Sequence, residues 1–82
     1  MVKVALWGSL RPLADGAETV EIEARDIRGL LSQLGELHPG LKPMIERRGI
    51  AVSINGRVFR DSWAEPVPDD AEVYLLPRIA GG

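Results

Sequence analysis

The end of the chain is the stretch whose residue types suggest chemistry. It reads "LLPRIAGG", so Gly81 and Gly82 are its last two residues. Glycine has no Cβ and adopts backbone angles that other residues avoid, so such a pair can pass through a narrow channel. Residues 78–82 would span about 16–18 Å when extended. A segment of this kind can bring the carboxylate of Gly82 into the enclosed site of another enzyme.

A carboxylate transfers nothing until it is activated, because its charge is delocalised and its oxygen is a poor leaving group. Activation as an acyl-adenylate requires that the carboxylate and ATP be enclosed together, away from water. The chain contains no cysteine, so none of its side chains can carry sulfur as a thiol or form a thioester. Alone, however, a Gly-Gly end is also typical of a frayed terminus.

The other residues that could do chemistry lack partners at a useful spacing. His38 precedes Pro39 at a predicted helix end, and the pair Asp69-Asp70 is typical of a turn before a strand. We therefore expect no metal site, no bound cofactor and no catalytic role for His38. The net charge is −2 and the basic residues are scattered, which disfavours nucleic-acid binding. With no apolar run near the ~20 residues that span a membrane, we expect a cytoplasmic protein that does not bind membranes.

Alternating apolar residues predict the strands that would position the C-terminal segment. The stretches "VKVALW" and "ETVEIEA" each have one apolar face, which favours an antiparallel pair with one side buried. In "IAVSINGRVF", Asn55-Gly56 predicts a type I′ hairpin turn. The stretch "AEVYLLP" predicts a last strand that runs almost into the C-terminal segment.

A helix is predicted in "RDIRGLLSQLGELHPG", where the apolar period changes to that of a helix. Asp26 is the expected N-cap, and Pro39-Gly40 would end the helix. Gly29 and Gly35 lie inside it, and we expect them to allow close packing on a sheet. The following "LKPMIERRG" is expected to be irregular or 3₁₀. The apolar stripe consists of Ile27, Leu30, Leu31, Leu34 and Leu37.

The order of these elements is strand, strand, helix, strand, short strand, strand. It predicts an α+β fold of the β-grasp, ubiquitin-like type, in which one main helix packs on one face of a small mixed sheet of about five strands. Residues 1–77 would form this domain, and residues 78–82 would form a flexible C-terminal tail that ends in Gly-Gly.

With these features the chain resembles the MoaD/ThiS family of ubiquitin-like sulfur carriers over its whole length. The resemblance is carried by "VKVALWGSLRPLADG", "VSINGRVF", "PVPDDAEVYLLP" and above all the pattern P-x-x-A-G-G at the end. Length and Pro77 make it most similar to the small subunit of molybdopterin synthase. Arg78 departs from the "PPVAGG" that is common there, which leaves the pathway open.

The resemblance implies a function for the tail. A ubiquitin-activating-type enzyme would use ATP to adenylate Gly82, and sulfur from a donor protein would replace AMP to give a thiocarboxylate. The large subunit of molybdopterin synthase would then receive that sulfur, so the chain would be a co-substrate or non-catalytic subunit. Two alternatives stay open: a carrier in a sibling pathway such as thiamine synthesis, and a ubiquitin-like protein modifier or interaction module.

Partner binding is expected at the tail and at the last strand, which is apolar on both faces. One face, with Tyr74 and Leu76, would be either covered by loop residues such as Trp63 or exposed as a docking patch. Phe59, Trp7 and Leu10 are further candidates for that patch. Arg78 would be a solvated cation or would contact an acidic partner surface. The expected binding residues are Phe59, Tyr74, Leu76, Pro77, Arg78, Ile79, Ala80 and Gly81.

Overall fold

The computed structural model describes residues 1–78, and the predictions for Ile79, Ala80, Gly81 and Gly82 lie outside the described residues. Within residues 1–78, no helix is long and apolar enough to cross a membrane. The elements of this part of the chain, in order, are β1 (Val2–Leu6), a first 3₁₀ segment (Gly8–Ala14), β2 (Thr19–Ile22), α1 (Ile27–Leu37), a second 3₁₀ segment (Pro39–Leu41), α2 (Lys42–Glu46), β3 (Ile50–Ile54), β4 (Arg57–Phe59) and β5 (Val73–Pro77).

The strands of residues 1–78 form one five-stranded mixed sheet in the order β2-β1-β5-β3-β4. At its centre, β5 pairs in parallel with β1, where Val4 lies opposite Val73. It pairs antiparallel with β3, where Val52 lies opposite Leu75. The outer pairs β1–β2 and β3–β4 are both antiparallel. This arrangement confirms the predicted β-grasp fold, in which the last strand lies between the hairpin β1–β2 and the hairpin β3–β4.

Helix α1 forms where the sequence predicts it and covers one face of the sheet. The carboxylate of Asp26 accepts a hydrogen bond from the N–H of Gly29 at 2.8 Å, which confirms the expected N-cap. At the other end the N–H of His38 donates to the carbonyl of Leu34 at 2.9 Å, just before Pro39. The buried side of α1 packs against the inward residues of β1 and β5 in one core.

The predicted apolar stripe of α1 is correct except at its end. Ile27, Leu30, Leu31 and Leu34 are buried, but Leu37 is exposed. At 3.6 residues per turn, a position ten residues after Ile27 lies about 80° away from it around the helix axis. Leu37 is therefore at the margin of the stripe and not at its centre.

The two glycines of α1 have a different reason from the one expected. A Cβ on Gly35 would lie 3.2 Å from Cγ of Lys42 and 3.7 Å from Cδ1 of Ile45, so this glycine makes room for α2. A Cβ on Gly29 would lie 3.2 Å from Oδ1 of Asp26, the N-cap. Neither close contact involves the sheet, so the expectation of close packing on the sheet was wrong.

The stretch after α1 is more regular than predicted. The 3₁₀ segment Pro39–Leu41 comes first, and Lys42–Glu46 form the short helix α2 where the sequence predicts irregular or 3₁₀ backbone. The segment that follows β1 is also 3₁₀. The two 3₁₀ segments pack on each other so closely that a Cβ on Gly40 would overlap the backbone carbonyl oxygen of Leu13. The conformation of each 3₁₀ segment therefore depends on its packing against the other.

The hairpin between β3 and β4 confirms the predicted turn. Asn55 has a φ of 51° and Gly56 a φ of 86°, and a type I′ turn requires positive values at both positions. The N–H of Asn55 donates to the carbonyl of Glu72 at 2.9 Å. In return the N–H of Glu72 donates to Oδ1 of Asn55 at 2.9 Å. The turn thus holds the chain just before β5 begins.

Candidate functional site

The face of the sheet opposite α1 carries the large apolar side chains of β5. Side chains alternate along a strand, so Tyr74 and Leu76 point away from the core that contains Val73 and Leu75. The residues beside them on this outer face are small, because Tyr74 lies opposite Ala5 and Ser53, and Leu76 lies opposite Ala51. Small neighbours leave the two large side chains standing above the sheet surface.

Trp7 and Val58 extend this apolar surface to both sides of β5. Trp7 continues the β1–β5 pairing, because its N–H donates to the carbonyl of Leu75 at 3.1 Å. Val58 lies opposite Ser53 and so shares the outer face. Trp7 is 55% exposed, Val58 46% and Tyr74 37%. We call Trp7, Val58, Tyr74 and Leu76 the outer patch.

The outer patch reaches the point where the described chain ends. One shallow hollow is lined by its four residues together with Ser53. A neighbouring hollow is lined by Trp7, Val58 and Leu76 and also by Arg60, Pro77 and Arg78. The apolar surface therefore runs without a break to the residue that precedes the last four of the chain.

Trp63 does not lie on this face. Within residues 1–78 the outer face is therefore exposed and not covered by loop residues, which decides between the two alternatives predicted from the sequence. Trp63 packs against the core cluster and is half-buried. Its ring lies 4.4 Å from the guanidinium carbon of Arg48 and 5.9 Å from that of Arg28, a residue of α1.

Two expected members of the patch lie elsewhere. Phe59 lies opposite Val52, which faces the core, and its half-buried side chain packs against the core cluster. Its expected place beside Tyr74 is therefore corrected, while its role in binding stays a prediction. Leu10 is fully buried in the core. Val58 was missed, although the two-residue turn fixes the register that places it on the outer face.

Arg78 is attached to the folded domain by its backbone and by its side chain. Its N–H donates to the carbonyl of Gly49 at 2.8 Å, which extends the β3–β5 pairing by one residue. Its Nη1 lies 3.3 Å from Oδ1 of Asp61 and donates to the carbonyl of Arg48, also at 3.3 Å. Arg78 is thus bonded to the folded domain at the C-terminal end of the central strand β5, although the sequence analysis places it in the tail.

Arg48 holds a backbone conformation that its residue type disfavours. Helix α2 ends with the N–H of Gly49 bonded to the carbonyl of Met44 and the N–H of Arg48 bonded to that of Ile45, the pattern of a Schellman motif. This motif needs a left-handed residue, usually glycine, and Arg48 fills the position with a φ of 54°. The left-handed conformation costs a residue with a Cβ about 1 kcal/mol.

The side chain of Arg48 makes contacts that offset this cost. Its guanidinium stacks on Trp63, and its Nη1 lies 3.7 Å from Oδ1 of Asp61. Stacking of this kind is worth about 0.5–1 kcal/mol at an exposed site. Oδ1 of Asp61 therefore lies within ion-pair distance of both Arg48 and Arg78. We call Arg48, Asp61, Trp63 and Arg78 the root cluster, since it lies where the C-terminal segment begins.

The remaining polar candidates are not brought together as a reactive site. Nδ1 of His38 lies 3.6 Å from Oδ2 of Asp15, a proximity that the sequence spacing did not indicate, and makes no hydrogen bond to residues 1–78. Asp69 and Asp70 lie in a turn before β5. Across the described part of the chain, no three His, Cys, Asp or Glu residues are placed to hold a metal ion.

Comparison with known proteins places the chain in a family. The model of the ThiS family matches residues 4–82. A chain of the BexX/CysO complex from Amycolatopsis orientalis superposes with a TM-score of 0.80 and 25% identity over 100% of both chains. Small archaeal modifier protein 1 from Methanosarcina acetivorans gives 0.77 and 28%, over 99% of this chain and 95% of that one.

A chain of the complex of subunits 1 and 2 of the molybdopterin-converting factor from Helicobacter pylori gives a TM-score of 0.69 and 28% identity, over 99% of this chain and 97% of that one. No curated protein matched the sequence significantly. The family match extends over almost the whole chain, and the solved structures share its fold and length. The chain therefore belongs to the ThiS family, a family of ubiquitin-like sulfur carriers and modifiers.

Proposed function

We propose that this protein carries sulfur on the carboxyl group of Gly82 and donates it in molybdopterin synthesis as the small subunit of the synthase. The observation that carries the proposal is the continuity between the outer patch and Arg78. A carrier must dock on an enzyme while its terminus enters the active site of that enzyme. An exposed apolar surface next to the start of the C-terminal segment meets this need.

The attachment of Arg78 sets the reach of the terminus. Four residues follow Arg78 in the sequence, and four extended residues span at most about 13–14 Å. A partner seated on the outer patch must therefore have its reactive centre within about that distance of Arg78. This limit is compatible with an activating enzyme whose adenylation site opens beside its docking surface.

The proposed chemistry has two steps on the same carbonyl carbon. First, a carboxylate oxygen of Gly82 attacks the α-phosphorus of ATP, and pyrophosphate leaves. Sulfur from a donor protein, at the oxidation level of sulfide, then attacks the carbonyl carbon and displaces AMP, which gives the thiocarboxylate. The activating enzyme supplies the acid–base groups and the ATP site, so this chain acts as its co-substrate. We expect this reaction in the cytoplasm, where ATP is available.

Two neighbours support different receivers of the activated terminus. The similarity to a chain of the Helicobacter pylori complex of subunits 1 and 2 favours the large synthase subunit as partner. The similarity to small archaeal modifier protein 1, with 28% identity over 99% of this chain, favours a protein modifier as the second candidate. A modifier would form an isopeptide bond between Gly82 and a lysine of its target.

The intact mass of the protein tests the proposal directly. After incubation with the activating enzyme of the host, ATP and a sulfur donor, we expect a gain equal to the replacement of one oxygen by one sulfur. A variant without Gly82 is the control and should gain nothing. An unchanged wild-type mass, with an enzyme that activates its own known carrier, would contradict the carrier function. Transfer of the sulfur to a substrate held by the large subunit would separate the first candidate from adducts on lysine.

A further inference from the structure

The root cluster holds Arg78, the last described residue, in a defined orientation. Main-chain pairing with Gly49 holds Arg78 on the side of β3. The contact with Asp61 holds its side chain against the loop that follows β4. Two bonds from opposite ends of one residue define its orientation better than either bond would alone. The last described residue is therefore held at a defined point beside the outer patch.

The left-handed conformation of Arg48 joins the parts of the cluster. Helix α2 would end more favourably with glycine at position 48, but Arg48 is found there in the left-handed conformation. That conformation lets the carbonyl of Arg48 accept from Arg78 while the side chain of Arg48 reaches Asp61. Backbone strain that persists in this way is typical of functional positions.

We propose that Asp61, supported by Arg48 and Trp63, is a positioning residue that acts through Arg78 to aim the C-terminal segment at the activating enzyme. The proposal rests on the carrier function argued above. Without the Asp61 carboxylate, Arg78 keeps a carbonyl partner but loses the charge that holds its guanidinium. Fewer molecules then present the segment in the direction that the enzyme accepts, and the apparent affinity falls by that fraction.

The test is the steady-state kinetics of sulfur loading with the full chain as the varied substrate. We expect Asp61→Ala to raise KM about fivefold and to leave kcat within about twofold, because the chain reacts normally once the segment has entered. Asp69→Ala is the matched control: it removes the same charge from an exposed residue at the opposite end of β5 and should leave KM unchanged. Thermal unfolding of both variants separates this effect from a loss of structure.

A double-mutant cycle shows whether Asp61 acts through Arg78. If it does, Asp61→Ala combined with Arg78→Gln raises KM no more than the larger single change, because the second change has nothing left to remove. If both side chains contact the enzyme independently, the two fold-changes multiply, and the inference is wrong. An unchanged KM in Asp61→Ala with an active wild type overturns the inference alone. A wild type that gains no sulfur overturns the carrier function and this inference with it.

Discussion

Within residues 1–78, the non-glycine residues with positive φ are Asp15, Arg48 and Asn55. Aspartate and asparagine tolerate the left-handed region because their short polar side chains bond to nearby backbone, and Asn55 does so with Glu72. Arginine has no such local compensation. At the scale of single residues Arg48 is thus the exception, and its contacts with Trp63 and Asp61 explain why the sequence does not have glycine there.

A pair of substitutions at this position measures the backbone cost. Arg48→Gly and Arg48→Ala both remove the stacking on Trp63 and the contact with Asp61, but only alanine keeps the left-handed penalty. We expect the free energy of unfolding of the glycine variant to exceed that of the alanine variant by about 1 kcal/mol. Urea denaturation followed by circular dichroism gives both values. An alanine variant as stable as the glycine variant would show that Arg48 is not strained.

At the scale of elements, the sequence predicts those whose signals are local. The N-cap Asp26 and Pro39 bracket α1, and Asn55-Gly56 specify the hairpin turn with positive φ at both residues. Helix α2 and the 3₁₀ segments were not predicted as such, because their form depends on packing against each other. The role of Gly35 likewise depends on packing, because its Cβ would meet Lys42 and Ile45 of α2.

The contact between the two 3₁₀ segments can be tested with one methyl group. A Cβ on Gly40 would overlap the carbonyl oxygen of Leu13, and a backbone atom cannot move aside as the end of a side chain can. We expect Gly40→Ala to lower the free energy of unfolding by about 2 kcal/mol. Gly8→Ala is the control, because its Cβ would meet nothing within 4 Å, and it should be neutral or slightly stabilising. Equal stabilities of the two variants would show that the segments separate readily.

In the candidate site, too, the features that depend on local sequence were predicted and those that depend on distant contacts were not. The two faces of β5 can be read from its alternation, so Tyr74 and Leu76 were predicted together. Phe59 is a further candidate for that face in the sequence analysis, but the hairpin register places Val58 there instead. The pairing of Asp61 with Arg78 joins residues 17 positions apart through a loop without a periodic pattern. No sequence signal indicates that contact.

At the scale of the whole molecule, the sheet has one covered face and one open face. Helix α1 is the only long helix of residues 1–78, and it covers the face that contains Val4 and Leu75. The outer face has no layer above it in this part of the chain, so Trp7 and Tyr74 meet solvent. Trp and Tyr are enriched among the residues that contribute most to binding at protein interfaces. One face of the sheet thus forms the core, and the other face is free for docking.

Trp7 and Leu37 provide a matched pair for testing that separation, since they are 55% and 53% exposed but lie on opposite sides of the molecule. We expect Trp7→Ala and Leu37→Ala each to lower the free energy of unfolding by about 1 kcal/mol or less. Only Trp7→Ala should weaken binding to the activating enzyme, by about tenfold, because a Trp in a docking surface contributes more than its neighbours.

Calorimetric titration of the activating enzyme with each variant gives the dissociation constants. Urea denaturation verifies that both variants are folded at the temperature of the titration. Wild-type affinity in Trp7→Ala would show that the enzyme does not use the outer patch. Equal weakening in both variants would mean that the affinity follows general exposure of apolar surface and not the face of the sheet. A loss confined to Trp7→Ala assigns the docking function to the open face that adjoins Arg78.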